Sequence, residues 1–575
     1  MKDIVVKLIA KEVGLKMGDV ENLVEIPPKE DMGDFAFPCF GLAKKFKSNP
    51  MKIAEDLAKK FRKELPKGIS NVDFNGAYVN FFIDKKILAK GVLAGAGVIE
   101  KKARGEKIMV EFSQANTHKA FHVGHIRGTS VGESLARMAE AFGNSVIRAN
   151  YQGDTGMHVA KWIWCYNKYH KKESLKKDES WIAGIYVDAI KRLTKNEKLQ
   201  EEVNEINWKL DSGEDEALNK LWKETRKLSL DALEIIYKDL NTGFDKYYFE
   251  SEVEQEGKKA AKDLVKKGIA KVDEGATIID LSRRDDSSKD YSAEHSGEPN
   301  DKDKNLGVWV LLRSDGTALY SAKDIVLAQK KFEDYKLDKG IYVVADAQNL
   351  HMLQLFKTLE LMGFKNVDKL KHRAYGLIRL PTGKMSSRTG DNVLYSDFKK
   401  EIVEYARKGL SERVSGLSKN ELDARSLVIA VAAIKYSMLK QDMGKTIVFD
   451  KKEALRFEGD TGPYLLYSYA RASSIVRKVK SKKAVKILDL KDSEVRLLKK
   501  INSFEEIVAK AYENLAPNLI ANYAFELSQM FNEFYHSCPV LGSEEEGFRL
   551  KLVDAFRITL KKSLDLLGID VLESM

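Results

Sequence analysis

The chain contains few cysteines and no long apolar run. Its three cysteines, Cys39, Cys165 and Cys538, lie far apart, and none belongs to a Cys-x-x-Cys pair. This spacing argues against a disulfide framework and against a structural zinc site, and it favours a reducing, cytoplasmic location. The N-terminus lacks the pattern of an export signal, and no later run reaches membrane-spanning length. Low-complexity tracts and strict repeats are also missing, so a solenoid is not expected.

Basic residues are in excess of acidic ones. Over 575 residues the chain has 97 Lys and Arg against 86 Asp and Glu, a net charge of +11, and 43% of its residues are hydrophobic. This length and apolar content are enough for several globular domains. The positive charge fits a polyanionic partner, but many soluble proteins without such a partner are equally basic. Charge therefore supports nucleic-acid binding only where other features agree.

The first two regions of the chain mix helices and strands. Residues 1–100 are predicted to form a small α+β module, with a helix over 4–15 and a strand over 77–82. Lysines on its helices fit an RNA-binding face and a solvated surface equally well. Residues 101–395 combine strand-like runs with helical patterns, and a charged insertion interrupts them over about 160–300. This second region is predicted to be an α/β domain.

The third region, 396–575, is predicted to be helical because its strand signals fade. Its helical patterns cover 427–440, 461–478, 494–515, 519–535 and 548–567.

The tetrad His122-Val123-Gly124-His125 stands between an apolar run at 108–112 and a helical pattern. A second strand-like run follows at 145–148, so the region is predicted to be a βαβ unit. Two imidazoles at a helix start, beside unpaired backbone N–H groups, form a site that favours phosphate. Gly124 leaves room for a nucleotide to approach the backbone. Most isolated histidines are structural, so the placement of the tetrad matters more than the tetrad itself.

A second loop suited to anions lies far along the chain. Residues 381–390 are rich in glycine, hydroxyl groups and cations, and they include Lys384-Met385-Ser386-Ser387. The short apolar run at 341–344 before this loop is typical of a parallel strand that is buried on both faces. The very polar stretch at 282–305 is predicted to be a loop.

With these two loops, the chain resembles the class I aminoacyl-tRNA synthetases, and among them the arginyl-tRNA synthetases. The tetrad is similar to the HIGH motif of that class, and the string from Lys384 to Arg388 is similar to KMSKS. Longer strings carry the resemblance to the arginine enzymes, namely Val110-Glu111-Phe112-Ser113 with Asn116, Asn150-Tyr151, Gly153-Asp154, Leu319-Tyr320 with Asp324, Gly459 to Tyr464, Tyr469-Ala470-Arg471, Asp554 to Arg557 and Leu566-Leu567-Gly568. The string Gly33-Asp34-Phe35-Ala36 resembles the additional N-terminal domain of that family.

The resemblance implies a fold and an activity. The fold is a Rossmann-type parallel-sheet catalytic domain over 101–395, flanked by an N-terminal tRNA-binding domain over 1–100 and an α-helical anticodon-binding domain over 396–575. The activity is a ligase that activates L-arginine with ATP and Mg²⁺ to arginyl-adenylate. It then transfers arginine to the terminal ribose 2′-hydroxyl of tRNA(Arg) for protein biosynthesis. The resemblance further implies a monomer whose insertion is a structural cap for the acceptor end of the RNA rather than an editing domain.

The resemblance also implies an ATP site. Its residues are His122, Gly124, His125, Lys384, Met385, Ser386 and Ser387. Ser387 stands where KMSKS has its second lysine, and Lys119 is similar to the lysine that some family members use instead. Thr155 and Thr389 are two further departures, since the family usually has tryptophan and many members have lysine at those positions.

For arginine, the resemblance implies a site with two carboxylates. Glu111 and Asp324 would accept hydrogen bonds from the guanidinium, a planar cation that fits a carboxylate with two parallel bonds. The remaining members would be Tyr320 beside the side chain, Asn116 and Ser113 on the amine or carboxylate, and Gln348 at the far wall. The alternative is structural: Glu111 ends a strand and Asp324 begins a helix.

For the anticodon, the resemblance implies aromatic and cationic side chains of the helical domain, with the candidates Tyr464, Tyr467, Tyr469 and Arg471. Side chains of these types at helical spacing also pack against neighbouring helices. No metal ligands are predicted in the protein itself.

Two other functions compete with the synthetase. A smaller nucleotidyltransferase would explain the tetrad but not the loop at 381–390 or the helical region. A non-catalytic RNA-binding relative would explain Ser387 as a sign of lost chemistry. Arginine-dependent exchange between ATP and pyrophosphate, with and without tRNA, separates all three.

Overall fold

The computed structural model describes residues 2–101, 105–282, 305–381, 383–384, 394–479 and 484–575, with the main chain alone at 30, 383 and 384. Two compact units are present: Met1–Val98 with Ala472–Phe504 and Leu527–Thr559, and Ile99–Arg471 with Glu505–Glu526 and Leu560–Met575. Within the described ranges, none of the helices is both long and apolar enough to cross a bilayer.

The N-terminal part of the first unit packs helices on a three-stranded antiparallel sheet in the order β1-β3-β2. The predicted helix 4–15 and strand 77–82 are confirmed as α1 and β3, and α1 ends before the left-handed Gly14. The elements are α1 (Lys2–Val13), α2 (Met17–Leu23), β1 (Phe35–Pro38), α3 (Ala43–Phe46), α4 (Pro50–Lys63), β2 (Ile69–Asn75), β3 (Tyr78–Ile83) and α5 (Lys85–Gly95).

The second unit begins with alternating strands and helices. Its elements up to residue 384 are β4 (Lys107–Glu111), α6 (Val123–Ala141), β5 (Ser145–Gln152), α7 (Met157–Cys165), α8 (Glu179–Lys195), α9 (Gln200–Ser212), α10 (Glu216–Asp239), β6 (Lys246–Phe249), α11 (Glu250–Lys266), β7 (Lys271–Asp273), β8 (Ala276–Asp280), β9 (Val308–Leu312), α12 (Tyr320–Tyr335), β10 (Lys339–Ala345), α13 (Asn349–Leu361), β11 (Leu370–Tyr375), β12 (Ile378–Leu380) and β13 (Gly383–Lys384).

Five of these strands form one parallel sheet in the order β11-β10-β4-β5-β6. This confirms the predicted α/β class and the predicted βαβ unit, which is β4, α6 and β5. The chain leaves β4 towards β5 and β6 on one side and returns to β10 and β11 on the other. Ligands of such sheets bind at this reversal of strand order, outside the carboxyl ends of the strands.

The expected insertion at 160–300 contains one strand of this sheet, because β6 pairs with β5. The helical insertion itself is therefore narrower and comprises α7 to α10. A separate antiparallel sheet, β7-β8-β9, follows α11. Most of the stretch predicted to be a loop, 283–304, lies outside the described residues.

After the second loop the described chain is almost entirely helical, as predicted. The elements are α14 (Tyr395–Ser411), α15 (Lys419–Leu439), β14 (Ile447–Val448), α16 (Lys451–Ala454), α17 (Gly462–Arg477), α18 (Asp492–Asn502), α19 (Phe504–Glu513), α20 (Asn518–Ser537) and α21 (Glu546–Leu566). The single helix predicted over 494–515 is wrong, because it is divided between α18 and α19. Helix α18 ends before Ser503. The N–H of Ser503 donates to the carbonyls of Lys499 and Lys500, and its hydroxyl also donates to the carbonyl of Lys500.

Close packing between α6 and β4 predicts a stability effect at Gly132. A Cβ atom at this helical position would overlap the buried ring of Phe112. Gly132→Ala should therefore lower the free energy of unfolding by about 1–3 kcal/mol, as overpacked substitutions do. Urea unfolding followed by circular dichroism measures the change.

The control is Gly184→Ala on the exposed face of α8, where nothing lies within 4 Å of a Cβ atom. Helix propensity alone should make this variant more stable by up to about 1 kcal/mol. Equal unfolding midpoints for the two variants would contradict the predicted clash.

Candidate active site

A cavity of about 370 Å³ opens at the carboxyl ends of β4 and β10. All six residues that the sequence predicted for an arginine site line this cavity, although they come from positions more than 200 residues apart. They are Glu111, Ser113, Asn116, Tyr320, Asp324 and Gln348. His125 of the tetrad also lines it. The cavity therefore brings the acidic residues together with the first helical turn of α6.

Glu111 ends β4 and is only 4% exposed. Its Oε2 accepts from the Nζ of Lys331, and its Oε1 accepts from Gln114 at 3.3 Å. Burial lowers the pKa of Lys331, but Glu111 more than offsets this and the pKa is raised. The protein thus supplies its own cation to one of the two predicted carboxylates.

Sequence reasoning missed Lys331, although a signal for it exists. Tyr320, Asp324, Leu327 and Lys331 follow the spacing of one helical face, and all four line the cavity. Extending the pattern by two turns from Asp324 would have found the lysine.

Asp324 lies in the second turn of α12, whose N-cap is Leu319, so the alternative of a helix-start residue is wrong. Its Oδ2 is 2.7 Å from Nε2 of His351, a residue that is 8% exposed and that sequence reasoning also missed. The ring of Tyr320 meets His351 edge to face at 4.7 Å. Glu250 adds a third carboxylate to the cavity wall. Two of these carboxylates are paired with lysines, since Lys323 donates to Glu250 at 3.0 Å, so Asp324 is the one that favours a cationic ligand.

The segment between β4 and α6 has unusual backbone geometry. Ser113, Gln114 and His118 have φ values of 77°, 53° and 58°, in the left-handed region that non-glycine residues rarely adopt. Within this segment Oδ1 of Asn116 accepts from the N–H of Gly153 at 3.2 Å. Such conformations concentrate at functional sites and persist only where the surroundings hold them.

Helix α10 of the insertion holds this segment. Oγ1 of Thr225 is 2.9 Å from Nε2 of His118, and the N–H of His118 donates to Oγ of Ser229 at 3.0 Å. The hydroxyl of Ser113 donates to Oη of Tyr237 at 3.2 Å. The insertion therefore holds the segment that carries Ser113 and Asn116, two residues that line the cavity.

The same helix fixes the loop after β5. Trp222 donates to the carbonyl of Asp154 at 2.8 Å, and Arg226 pairs with the carboxylate of Asp154 at 2.6 Å. Asp154 in turn accepts from the N–H of Ser251 at 2.9 Å, at the start of α11.

The two histidines of the tetrad cap their own helix. Nδ1 of His122 accepts from the N–H of Gly124, and Nδ1 of His125 accepts from the N–H of His122, each at 3.1 Å. The rings stack with centroids 3.9 Å apart. Because each Nδ1 accepts, each neutral ring carries its proton on Nε2.

This capping corrects the expectation of unpaired N–H groups at the helix start. The N–H of Gly124 is taken by His122, and that of His125 donates to the carbonyl of His122 at 2.8 Å. A Cβ atom at Gly124 would lie 2.8 Å from Cε1 of His122, so the glycine first makes room for the imidazole.

Burial keeps both tetrad histidines neutral. Burial and the nearby Lys119 lower the pKa of His122 to about 4, and burial and His122 lower the pKa of His125 well below its ordinary value. Lys119 lies over the ring of Tyr186, with Nζ 5.7 Å from the centroid. Burial, with Lys161 nearby, also lowers the pKa of Lys119.

The chain from Leu394 onwards, after the second predicted loop, contacts the tetrad and Phe121. The main chain of the loop is described up to Lys384 in β13, which pairs with β12. Met385, Ser386 and Ser387 lie outside the described residues. The chain is described again from Leu394, which forms a β-bridge with His122, and the N–H of Tyr395 donates to Phe121 at 2.9 Å.

The near end of the loop is also held against α6. Arg127 of α6 donates to the carbonyl of Gly376, just before β12, at 2.6 Å. Helix α6 therefore contacts the chain before the second loop, and the two residues that precede α6 contact the chain after it.

The predicted anticodon residues fall into two groups. Tyr469 is 1% exposed and its hydroxyl donates to Glu573 at 2.7 Å, so its prediction as an RNA contact is wrong. Tyr464 packs edge to face on Phe525. Tyr467 is exposed, and Arg471 stacks on its ring at 4.7 Å.

Family models match the chain in three parts. Residues 85–451 match the model for tRNA synthetases class I (R), catalytic domain. Residues 1–83 match the arginyl tRNA synthetase N terminal domain, and 465–575 match the DALR anticodon binding domain.

Known proteins are similar over the whole chain. An arginine–tRNA ligase of Clostridium perfringens is 35% identical over 590 residues, covering 100% of both chains, and one of Bdellovibrio bacteriovorus is 35% identical over 97% of this chain and 95% of its own. Among solved structures, the Thermus thermophilus arginyl-tRNA synthetase superposes with a TM-score of 0.81 at 27% identity, covering 100% of this chain and 99% of that one. From these matches and the catalytic-domain model, the chain belongs to the arginyl-tRNA synthetases, class I enzymes that ligate arginine to tRNA.

Proposed function

We propose that the cavity at the ends of β4 and β10 binds L-arginine, and that activation takes place between this cavity and the His122–His125 pair. The observation that carries the proposal is the convergence of the six residues predicted from sequence on one acidic cavity that also contains His125. As a class I synthetase, the enzyme uses ATP.

Asp324 is the main acceptor for the guanidinium in this proposal. Nε2–H of His351 orients the carboxylate through Oδ2 and leaves lone pairs on both oxygens for a planar, bidentate donor. Glu111 has one oxygen committed to Lys331, so it offers at most a single bond through Oε1. Ser113 and Asn116 would bind the amine or the carboxylate of arginine. Gln348 would lie at the far wall of the site.

The histidines act on ATP as hydrogen-bond donors without charge. Each presents Nε2–H, since its Nδ1 is committed to the helix start. Positive charge for the phosphates comes from Lys119 and Lys384, together with the Mg²⁺ that accompanies ATP. Gly124 and the string Met385-Ser386-Ser387 complete the proposed ATP site.

The chemistry then needs no strong base. The arginine carboxylate is already ionised, attacks the α-phosphorus and forms the mixed anhydride, while the bond to pyrophosphate breaks. The rate depends on positioning and on the charge that accumulates on the departing pyrophosphate. In the second step the terminal ribose 2′-hydroxyl of tRNA(Arg) attacks the carbonyl of the anhydride and releases AMP.

The remaining assignments complete the proposal. The domain limits predicted from sequence, 101–395 and 396–575, differ from those of the family models, which extend the catalytic domain to 451 and begin the anticodon-binding domain at 465. The proposed anticodon contacts are Tyr467, which is exposed, Arg471, which is half-buried and stacks on its ring, and the half-buried Tyr464. The enzyme is a cytoplasmic monomer whose partner is tRNA(Arg).

Asp324→Asn should raise the KM for arginine at least about 100-fold, because it removes a charge-assisted, bidentate partner worth roughly 3 kcal/mol or more. Arginine-dependent exchange between ATP and pyrophosphate, with total tRNA present, measures the effect. Asp334→Asn, on the exposed side of the same helix, is the control and should leave KM unchanged.

Glu111→Gln should instead mainly lower stability, since it leaves Lys331 buried without its partner. If Glu111→Gln raised the KM for arginine more than Asp324→Asn did, Asp324 would not be the main acceptor for the guanidinium. Exchange driven by a different acceptor, or no exchange at all, would contradict the proposed function.

The rate of exchange between ATP and pyrophosphate should not change between pH 6 and 8 through titration of the tetrad histidines. With a pKa near 4, His122 is neutral throughout this range and gains a proton only as the pH falls through about 4. A pH profile of kcat/KM for ATP, compared between the wild type and His122→Asn, tests this. A wild-type transition near pH 6.5 that disappears in the variant would show that the neutral form is wrongly assigned.

Thr225→Val should lower kcat/KM for arginine about three- to tenfold, the value of one hydrogen bond of 0.5–1.5 kcal/mol. The valine keeps the shape of threonine but removes the hydroxyl that is hydrogen-bonded to Nε2 of His118. Thr225→Ser restores the hydroxyl and should restore activity. Arginine-dependent exchange at 25 °C is the measurement, with the melting temperature recorded beside it.

The control for this change is Thr194→Val on α8, whose hydroxyl bonds the carbonyl of Ile190 on its own helix. If both valine variants lost activity equally, or if Thr225→Val changed only the melting temperature, Thr225 would not be a positioning residue.

A further inference from the structure

Three potential metal ligands meet in the helical insertion, in a place that the proposed reaction does not use. They are Sγ of Cys165, Nε2 of His170 and a carboxylate oxygen of Asp188, and these atoms lie within 4.8 Å of one another. Oδ2 of Asp188 is 3.5 Å from the sulfur and 3.1 Å from the imidazole nitrogen. None of the three residues lines the arginine cavity.

The elements around the cluster explain this convergence. Cys165 is the last residue of α7, and Asp188 lies in the middle of α8. Between them the chain makes a turn of π-helix over Tyr166–His170, which places His170 beside both. Single π turns are rare and are frequent at functional sites.

A second layer of hydrogen bonds holds His170 in the orientation of a metal ligand. Nδ1 of His170 is 2.6 Å from Oε1 of Glu173, whose other oxygen accepts from the indole of Trp181 at 2.7 Å. Metal-binding histidines in proteins commonly have a carboxylate on the nitrogen that does not bind the metal.

The charges around the cluster also accommodate a divalent cation. Carboxylate oxygens of Glu173 and Asp188 lie 2.6 and 3.1 Å from the two nitrogens of His170. Arg192 donates to Asp188 at 2.7 Å and stacks on Tyr169 at 3.6 Å. The two carboxylates beside the imidazole supply negative charge for a divalent cation.

We propose that Cys165, His170 and Asp188 form a zinc site that joins α7 to α8, with water as the fourth ligand. Thiolate and imidazole ligands favour zinc over calcium or magnesium. Separations of 3.1 and 3.5 Å between ligand atoms are close to the edges of a tetrahedron with zinc bonds of about 2.0–2.3 Å. The missing Cys-x-x-Cys pair does not exclude this site, because a site with a single cysteine does not need one.

Cobalt(II) titration of the chelator-treated full chain tests the proposal. We expect one Co²⁺ per chain, with visible bands of a tetrahedral site and a sulfur-to-cobalt charge-transfer band, all displaced by one equivalent of Zn²⁺. Cys165→Ser should abolish the charge-transfer band, whereas Cys538→Ser, which changes another buried free cysteine, should retain it. Glu173→Gln should weaken zinc binding about 10–100-fold, as loss of an orienting carboxylate does.

The titration of the wild type is decisive even if a variant fails to fold. No stoichiometric binding, or a tetrahedral spectrum without the sulfur band, would show that the cluster is only a set of ion pairs. A sulfur band that persists in Cys165→Ser and disappears in Cys538→Ser would place the metal elsewhere. A melting temperature that rises with zinc in the wild type, but not in His170→Gln, would agree with the proposal.

Discussion

Hydrogen bonds from α10 to the left-handed segment between β4 and α6 are the constraint on which the site depends. Each non-glycine residue in this conformation costs about 1–3 kcal/mol, so Ser113, Gln114 and His118 need compensation from outside the segment. Thr225, Ser229 and Tyr237 provide it. The same segment carries Asn116 and Lys119 and leads directly into His122. If it relaxed, these groups would move relative to Glu111, which the parallel sheet holds in place.

Electrostatics in the site follow from the same burial. The tetrad histidines lose their charge because burial and a nearby lysine oppose a second proton, whereas Lys331 keeps its charge because Glu111 is beside it. The proposed ATP side of the site therefore combines neutral donors with a few lysines. The cavity proposed for arginine has more carboxylates than lysines in its wall. This separation of charge suits a reaction that joins a cationic amino acid to a polyanion.

Sequence predicted the parts of this arrangement that motifs and periodicity encode. The βαβ unit, the buried parallel strand at β10 and the six cavity residues follow from strings that lie close together in the chain or resemble a known family. The partners of those residues follow from tertiary packing instead. Lys331 requires the register of α12 against β4, and the bond between Thr225 and His118 joins residues 107 positions apart.

Predictions from local sequence also failed where a side chain makes a hydrogen bond that is uncommon for its residue type or position. Histidine is an uncommon N-cap, so the sequence of the tetrad predicts a helix start with free N–H groups. Helical periodicity continues across Ser503, where the hydroxyl of that serine bonds a backbone carbonyl and the helix ends. Tyr469 has the spacing of an RNA contact but is buried against the chain's own C-terminal residues.

The built-in Lys331 bears on how the proposed site distinguishes arginine from lysine. Because this lysine already neutralises Glu111, the carboxylate left to select the substrate is Asp324, which His351 orients. A guanidinium offers five N–H donors in one plane and can bond both oxygens of Asp324 in parallel. The compact ammonium of lysine meets the carboxylate at one point and leaves acceptors on the wall without partners, and citrulline brings no charge at all. Each partly desolvated acceptor left unpaired costs about 1–3 kcal/mol, so discrimination of this kind can be achieved in the binding step, without a hydrolytic editing domain.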